Sequence, residues 1–409
     1  MTLTKADEYK LLNLLLDMGE MMLCSGGEVR RVENTLSLMG KAYGATKTDV
    51  MVITASIIIT MKFADGNLIT ESRRVESPGS NKLWRLEGLN ALSRKCCEQP
   101  LSIEELEAEI KNCKQPTNLW KFYLGSALAA GAFAVFFGGN ILDGVIAAVF
   151  ALLVCFFQRK FSSVFPNNII FNIVCSFAVG VLICIVTKLI PTTHTDMVII
   201  GVIMLLIPGI AFTNAMRDIL VGDTISGIMR LIESLLWAAG LAVGFMLSIL
   251  IVGGITTNVN EIEVAVQLIT GMLGSLGFAL LFGLKKQYLI SAALGGLLSW
   301  GLYLLGMHFL DNIFLACLLA SAFCALYSEI TARIKKAPTT LFFITSVIPL
   351  IPGSTLYYTC SNAVVRDWEA AKQYATVTLQ YALAIAAGAC IIWAITLTIE
   401  NIKKNKKTS

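Results

Sequence analysis

Two Ile-Pro-Gly tripeptides, Ile207-Pro208-Gly209 and Ile351-Pro352-Gly353, sit inside long apolar segments. Small polar residues follow each one, Thr213 and Asn214 in the first case and Ser354 and Thr355 in the second. Proline within a helix removes a main-chain hydrogen bond and costs about 3 kcal/mol. In lipid this is tolerated only where neighbours or a cavity satisfy the freed groups. A half-helix restarting after Pro-Gly would aim free N–H groups at an anion, and the hydroxyls and amide beside it could hold a carboxylate, an amine or a hydroxyl. Pro208, Gly209, Thr213, Asn214, Pro352, Gly353, Ser354 and Thr355 are therefore the candidate substrate-binding residues, with a packing kink as the plainer alternative.

Charged residues in apolar surroundings give the second set. Glu233 lies between Ile232 and Leu235, and an ionised carboxylate in mid-helix costs at least about 2.5–3.5 kcal/mol in a bilayer. It calls for a partner or a proton. Arg230, one helical turn earlier, supplies a local ion pair, and a proton relay is the alternative. Arg217, Asp218 and Asp223 read as charges in the turn before this segment, either solvated or acting as a gate or carboxylate clamp.

The remaining residue types argue against catalysis, metal and redox chemistry. The chain has 11 cysteines without a Cys-x-x-Cys pair and only two histidines, His194 and His308, both near the ends of apolar segments. The thiols suit small apolar filling. Ser25-Gly26-Gly27-Glu28 places a hydroxyl near a carboxylate, but residues 1–118 contain no histidine, and the motif serves better as punctuation between helices. No cofactor is expected.

These residues need a membrane to position them. Of 409 residues, 56% are hydrophobic and 15% charged, against roughly 45–50% and 25% in ordinary soluble domains. Residues 1–118 hold 31 of the 60 charges, enough polarity for a small water-soluble domain. Helical periodicity over 5–23 and 28–42, a Val/Ile/Thr-rich stretch over 48–63 turned by Asp65-Gly66-Asn67, and amphipathic stretches near 80–97 and 102–113 predict an α+β domain ending near Pro116.

After it come ten apolar segments, near 119–138, 141–157, 168–190, 196–216, 226–253, 261–283, 287–306, 310–331, 339–360 and 371–398. Each is long enough to cross a hydrocarbon layer that takes about 20 helical residues. An even number of spans puts both ends on one side. With that side cytoplasmic, 14 of the 17 basic residues after position 118 flank inner ends, as the positive-inside rule requires. The excess positive charge thus belongs to the bilayer surface and not to nucleic acid.

A shift of 144 positions lays Ile207-Pro208-Gly209 on Ile351-Pro352-Gly353, Asn168-Ile169 on Asn312-Ile313, and Asp223 on Asp367. Each Ile-Pro-Gly then falls in the fourth span of a five-span block. Five is odd, so the second block enters the membrane upside down, the inverted-repeat plan of many secondary transporters. The expected fold is a polytopic α-helical membrane protein: a cytosolic α+β domain (1–116), two inverted five-helix repeats (117–256 and 257–402) and a basic cytosolic tail (403–409).

The run LIPGIAFTNAMRDILVGDTISGIMRLIES, residues 206–234, resembles the threonine/serine exporter family in its Pro-Gly, Thr-Asn, Arg-Asp, Gly-Asp, Ser-Gly and Arg series. Gly19, Leu23, Ser25-Gly26, Glu28, Arg31, Glu33 and Gly44 resemble that family's amino-terminal pattern. The resemblance implies a multi-pass antiporter of the bacterial inner membrane, both termini cytoplasmic, exporting threonine or serine in exchange for protons by alternating access. A succinate-like dicarboxylate is the alternative substrate, since some relatives are linked to dicarboxylate export, and self-association is left open. The second block departs from the pattern, with Ser354-Thr355-Leu356-Tyr357-Tyr358 in place of the Thr-Asn series.

Overall fold

The computed structural model describes residues 4–75, 82–114, 119–161, 164–165, 167–253 and 262–408. Pro116 and the repeat boundary at 256–257 lie outside the described residues. The chain divides into two compact units, one of Met1–Asn118 with Phe282–Leu284, the other of Leu119–Leu281 with Lys285–Ser409.

In the first unit, α1 (Lys5–Cys24) begins at a capping box, in which the Asp7 N–H donates to Thr4 Oγ1 and the Thr4 N–H to Asp7 Oδ2. Leu11, Leu12, Leu15, Met18 and Met22 are completely buried around much of its circumference, which makes α1 the core of the unit. Gly26, at φ +88°, makes the turn into α2 (Val29–Ala42). The β-rich stretch forms a three-stranded antiparallel meander of β1 (Lys47–Ile53), β2 (Ser56–Lys62) and β3 (Leu68–Arg74). The 48–63 stretch therefore contains a second turn, at Thr54-Ala55, which its sequence does not announce with Gly, Pro or Asn. Ile57, Ile59 and Met61 face the core while Ile58 points outward, the alternation of a sheet with one face covered. Helices α3 (Leu83–Glu98) and α4 (Ile103–Asn112) close the unit.

The second unit is helical throughout its described residues and builds a multi-pass membrane protein. Its elements are α5 (Leu119–Phe136), α6 (Ile141–Phe161), α7 (Asn168–Leu189), α8 (Thr195–Leu206), α9 (Gly209–Val221), α10 (Thr224–Val252), α11 (Val264–Leu281), α12 (Lys286–Leu310), α13 (Ile313–Lys335), α14 (Thr339–Val347, extended by a 3-10 turn Ile348–Leu350), α15 (Gly353–Val364) and α16 (Trp368–Thr408). Eight of these are long and apolar enough to cross a bilayer. Two further pairs of helices are apolar enough only when taken together and are bent between their members, α8 with α9 at 54° and α14 with α15 at 52°. Helix α16 runs to Thr408, through most of the expected basic tail.

Element boundaries follow the 144-residue shift closely. Thr195 and Thr339 open α8 and α14, Gly209 and Gly353 open α9 and α15, and Thr224 and Trp368 open α10 and α16. The register slips by one at the third pass, where Asn167 caps α7 and Asn312 caps α13. Small residues let the helices approach closely, as bilayer helices must when lipid offers no hydrophobic drive between them. Helix α10 packs on α7 with Gly244 against Ser176, and α16 packs on α13 with Gly388 against Ser321. Helix α5 packs on α11, where a methyl at Gly277 would lie 2.5 Å from the Ala129 nitrogen.

Candidate functional site

Both predicted helix breaks are present. The first helix ends with Ile207 N–H on Ile203 O at 2.8 Å, Pro208 takes φ −80° and ψ 43°, and α9 restarts at Gly209 without a side-chain cap. At the second, Ile351 N–H donates to Ile348 O at 3.1 Å, Pro352 takes φ −76° and ψ 50°, and α15 restarts at Gly353, also uncapped. Neither N-cap proline thus supplies a side-chain cap, although the Gly353 N–H donates to Ile351 O at 2.7 Å; an uncapped helix start is a place that attracts an anion.

The two breaks meet in space. A methyl group at Gly209 would collide with Ile351 Cγ2, and one at Gly353 would lie 2.8 Å from Met204 Sδ and 3.2 Å from Ile207 Cγ2. Each restarted helix packs on both α10 and α16, α9 as well as α15. Phe212, Ala238, Leu356 and Ala382 form one buried cluster there, joined by Met216 and Cys360. Phe212 and Leu356, Ala238 and Ala382, and Met216 and Cys360 are each 144 positions apart, so this core is built from matched pairs.

Polar groups around the crossing are unevenly satisfied. Thr213 is 6% exposed and its Oγ1 has no hydrogen-bond partner among the described residues. Asn214 and Ser354 are half-buried. Thr355 Oγ1 donates to Pro352 O at 3.2 Å and lies 2.9 Å from Thr378 Oγ1 on α16.

The charges fall differently from their sequence reading. Arg217 and Asp218 belong to α9 itself and are buried, with side chains 7% and 5% exposed, so they are not turn residues open to solvent. Asp218 accepts from Arg217 Nη2 at 3.0 Å and, through its other oxygen, from Arg230 Nη1 at 2.9 Å. The Arg217 guanidinium also stands over the Trp393 ring at 5.5 Å. Arg230 thus reaches back twelve residues to Asp218 on the neighbouring half-helix. Asp223 takes the N-cap position of α10. Glu233 lies on the outward side of α10 with Ile232 and Leu236, away from the crossing. The positions 144 later than Arg217, Asp218 and Arg230 are Ser361, Asn362 and Tyr374, all uncharged.

Several polar groups had no signal in the sequence. Asp143, completely buried, accepts from the Asn140 N–H at 2.9 Å and the His194 N–H at 2.7 Å, and pairs with His194 Nδ1 at 2.8 Å. Trp300 Nε1 donates to Gln267 Oε1 at 3.0 Å, Trp300 stacks on Tyr303, and the Tyr303 and Tyr381 hydroxyls are bonded to each other. In the first unit, the residues of the amino-terminal pattern serve the fold. Gly19 admits Leu36 and Ile57, the buried Ser25 hydroxyl donates to Met21 O at 2.6 Å, and Glu33 Oε1 accepts the Val52 N–H at 3.0 Å. Ser25 is thus committed to the backbone and not presented as a nucleophile.

Comparison with known proteins finds residues 13–252 matching the family described as "Putative threonine/serine exporter" and residues 267–395 matching "Threonine/Serine exporter, ThrE". The chain is similar to a "Probable threonine/serine exporter" of Mycobacterium tuberculosis (strain ATCC 25618 / H37Rv), 24% identical over 265 residues, which covers 64% of this chain and 49% of that protein. It is also similar to a "Threonine/serine exporter" of Corynebacterium glutamicum, 21% identical over 364 residues, covering 85% of this chain and 74% of that one. The chain therefore spans about half the length of the mycobacterial relative and about three quarters of the corynebacterial one. No solved structure matches.

Proposed function

This chain belongs to the threonine/serine exporter family, and from that premise we propose that it exports threonine or serine across the bacterial inner membrane by alternating access. The observation that carries the reading is the crossing of the two Pro-Gly breaks, Gly209 against Ile351 and Gly353 against Ile207 and Met204. Broken helices meeting inside a bundle are how secondary transporters place irregular backbone and helix ends around a small polar solute. Two five-span repeats of opposite orientation account for the matched element boundaries and for the paired residues of the buried cluster. The ten-pass count takes each bent pair as one span, with residues 1–116 and both termini in the cytoplasm.

In this reading the substrate carboxylate meets the uncapped starts of α9 and α15, while Thr213, Asn214, Ser354 and Thr355 supply hydroxyl and amide contacts. Arg217, Asp218 and Arg230, with Asp223 at the adjoining N-cap, form a gate where α9 turns into α10. Export against a gradient draws on protons. Glu233 points away from the crossing, which does not favour it as their carrier. A succinate-like dicarboxylate would call for a second cation at the breaks, and Arg217 is eight residues, about 12 Å of helix, from Gly209.

The test is counterflow in liposomes. Protein preloaded with unlabelled threonine or serine accumulates labelled threonine, and an imposed proton gradient changes the rate. Exchange of succinate but of neither amino acid would move the assignment to dicarboxylates.

A further inference from the structure

We infer that Trp237 reads the side-chain hydroxyl of the transported amino acid, donating its indole N–H to that oxygen while Thr213 accepts the hydroxyl proton; this rests on the exporter reading above.

Two polar side-chain atoms near the crossing are sealed from solvent and lack a partner among the described residues, Thr213 Oγ1 and Trp237 Nε1. They come from neighbouring helices, and the residues beside them, Phe212 and Ala238, pack in one cluster with Leu356 and Ala382. The Trp237 ring lies against the core that holds Leu206 and Tyr357, as does Ile207 of the first break. In a helix the Cα–Cβ bond tilts toward the amino terminus, so Thr213 leans toward the start of α9 at Gly209. The first break thus offers an uncapped helix start, a buried hydroxyl one turn along it and, on the adjoining helix α10, a sealed indole N–H.

The other block has a satisfied group at the position matching Trp237, and a satisfied threonine near its own break. Tyr381 is the counterpart of Trp237, and its hydroxyl is bonded to Tyr303. Near the second break, Thr355 is occupied by Pro352 O and Thr378. Among the described residues of the second block, Ser275 Oγ and Ser346 Oγ are also sealed and unpaired, but no side-chain N–H donor is, so the donor half of the recognition is one-sided.

Donor chemistry then selects the ligand group. Indole nitrogen can only donate, whereas a threonine hydroxyl both donates and accepts. A carboxylate is the natural ligand of the helix start. The acceptor left on threonine or serine is the side-chain hydroxyl oxygen, and its proton can go to Thr213 Oγ1. An analogue without that hydroxyl strands both buried groups, the situation in which hydrogen-bonding sites discriminate most strongly.

The experiment compares threonine with 2-aminobutyrate, which keeps the methyl and loses the hydroxyl, as displacers of labelled threonine from the full-length protein in nanodiscs. Wild type should prefer threonine. Trp237→Phe should weaken threonine about tenfold and leave 2-aminobutyrate unchanged, a result that a misfolded variant would not give. Independently of any variant, the indole 1H–15N resonance of Trp237 in the wild type should move with threonine and stay still with 2-aminobutyrate. Equal preference in wild type and Trp237→Phe, or an unmoved resonance, overturns the inference while leaving the exporter reading intact; in that case a resident water fills the site. A wild type that binds neither ligand overturns both.

Discussion

Replacing Gly209 by alanine should destabilise the protein, although helix propensity alone says the opposite. Gly209 opens α9, and alanine there would favour the helix by up to about 1 kcal/mol. The added methyl, however, collides with Ile351 Cγ2, and overpacking of this kind costs about 1–3 kcal/mol. The net expectation is a loss of about 1–2 kcal/mol. Ile351→Leu moves the branch point from Cβ to Cγ, removes Cγ2 and keeps the volume, for less than about 1.5 kcal/mol on its own. If the breaks touch, the double variant should be more stable than the sum of the two changes by about 0.5–3 kcal/mol. Reversible SDS unfolding of the full chain in mixed micelles measures all four corners of this cycle. Additivity to within about 0.5 kcal/mol, or a stabilising Gly209→Ala, would refute the contact between the two halves.

Asp218→Asn removes the carboxylate that holds one buried and one partly buried guanidinium and should cost about 3 kcal/mol in the same unfolding assay, whereas Asn362→Ala at the matching position of the second block should cost about 1 kcal/mol or less. Glu233→Gln should leave counterflow within about twofold of wild type, because the side chain faces outward and touches no part of the crossing. In the first unit, hydrogen bonds from Lys111 and then Lys10 hold the Glu107 carboxyl down at about 2. A folded-state value below the unfolded one stabilises above the unfolded value of 4.5 and is lost as pH falls toward 2. The melting-temperature gap between wild type and Glu107→Gln should accordingly be full at pH 6 and close over that window.

The helix breaks were legible because proline acts through its own covalent structure, whatever surrounds it. The 144-residue shift was legible for a related reason, since it compares the chain with itself. Burial of charge was not. Arg217 and Asp218 resemble loop residues only while the fourth pass is ended at 216, and α9 continues to Val221. A one-turn rule could pair Arg230 with Glu233, but it could not see that Arg230 also reaches the Asp218 carboxylate on the neighbouring half-helix. The Asp143–His194 pair joins residues 51 apart, and Trp237 reads as an ordinary membrane aromatic until its nitrogen is found sealed and unpaired. In the first unit, the turn at Thr54-Ala55 carries no turn-forming residue, so three strands looked like two.

A carrier with two interchangeable halves would rest equally well facing either compartment. This one carries an arginine–aspartate–arginine lock at the end of one half and serine, asparagine and tyrosine at the matching end of the other. On the exporter reading, breaking that lock and breaking its neutral counterpart require different work, so the empty carrier spends unequal time in its two postures. Three side chains cannot push solute uphill, because any bias they lend to one half of the cycle is returned in the other. On the same exporter reading, they set on which side of the membrane the unloaded protein waits, and hence which compartment's solute it meets first.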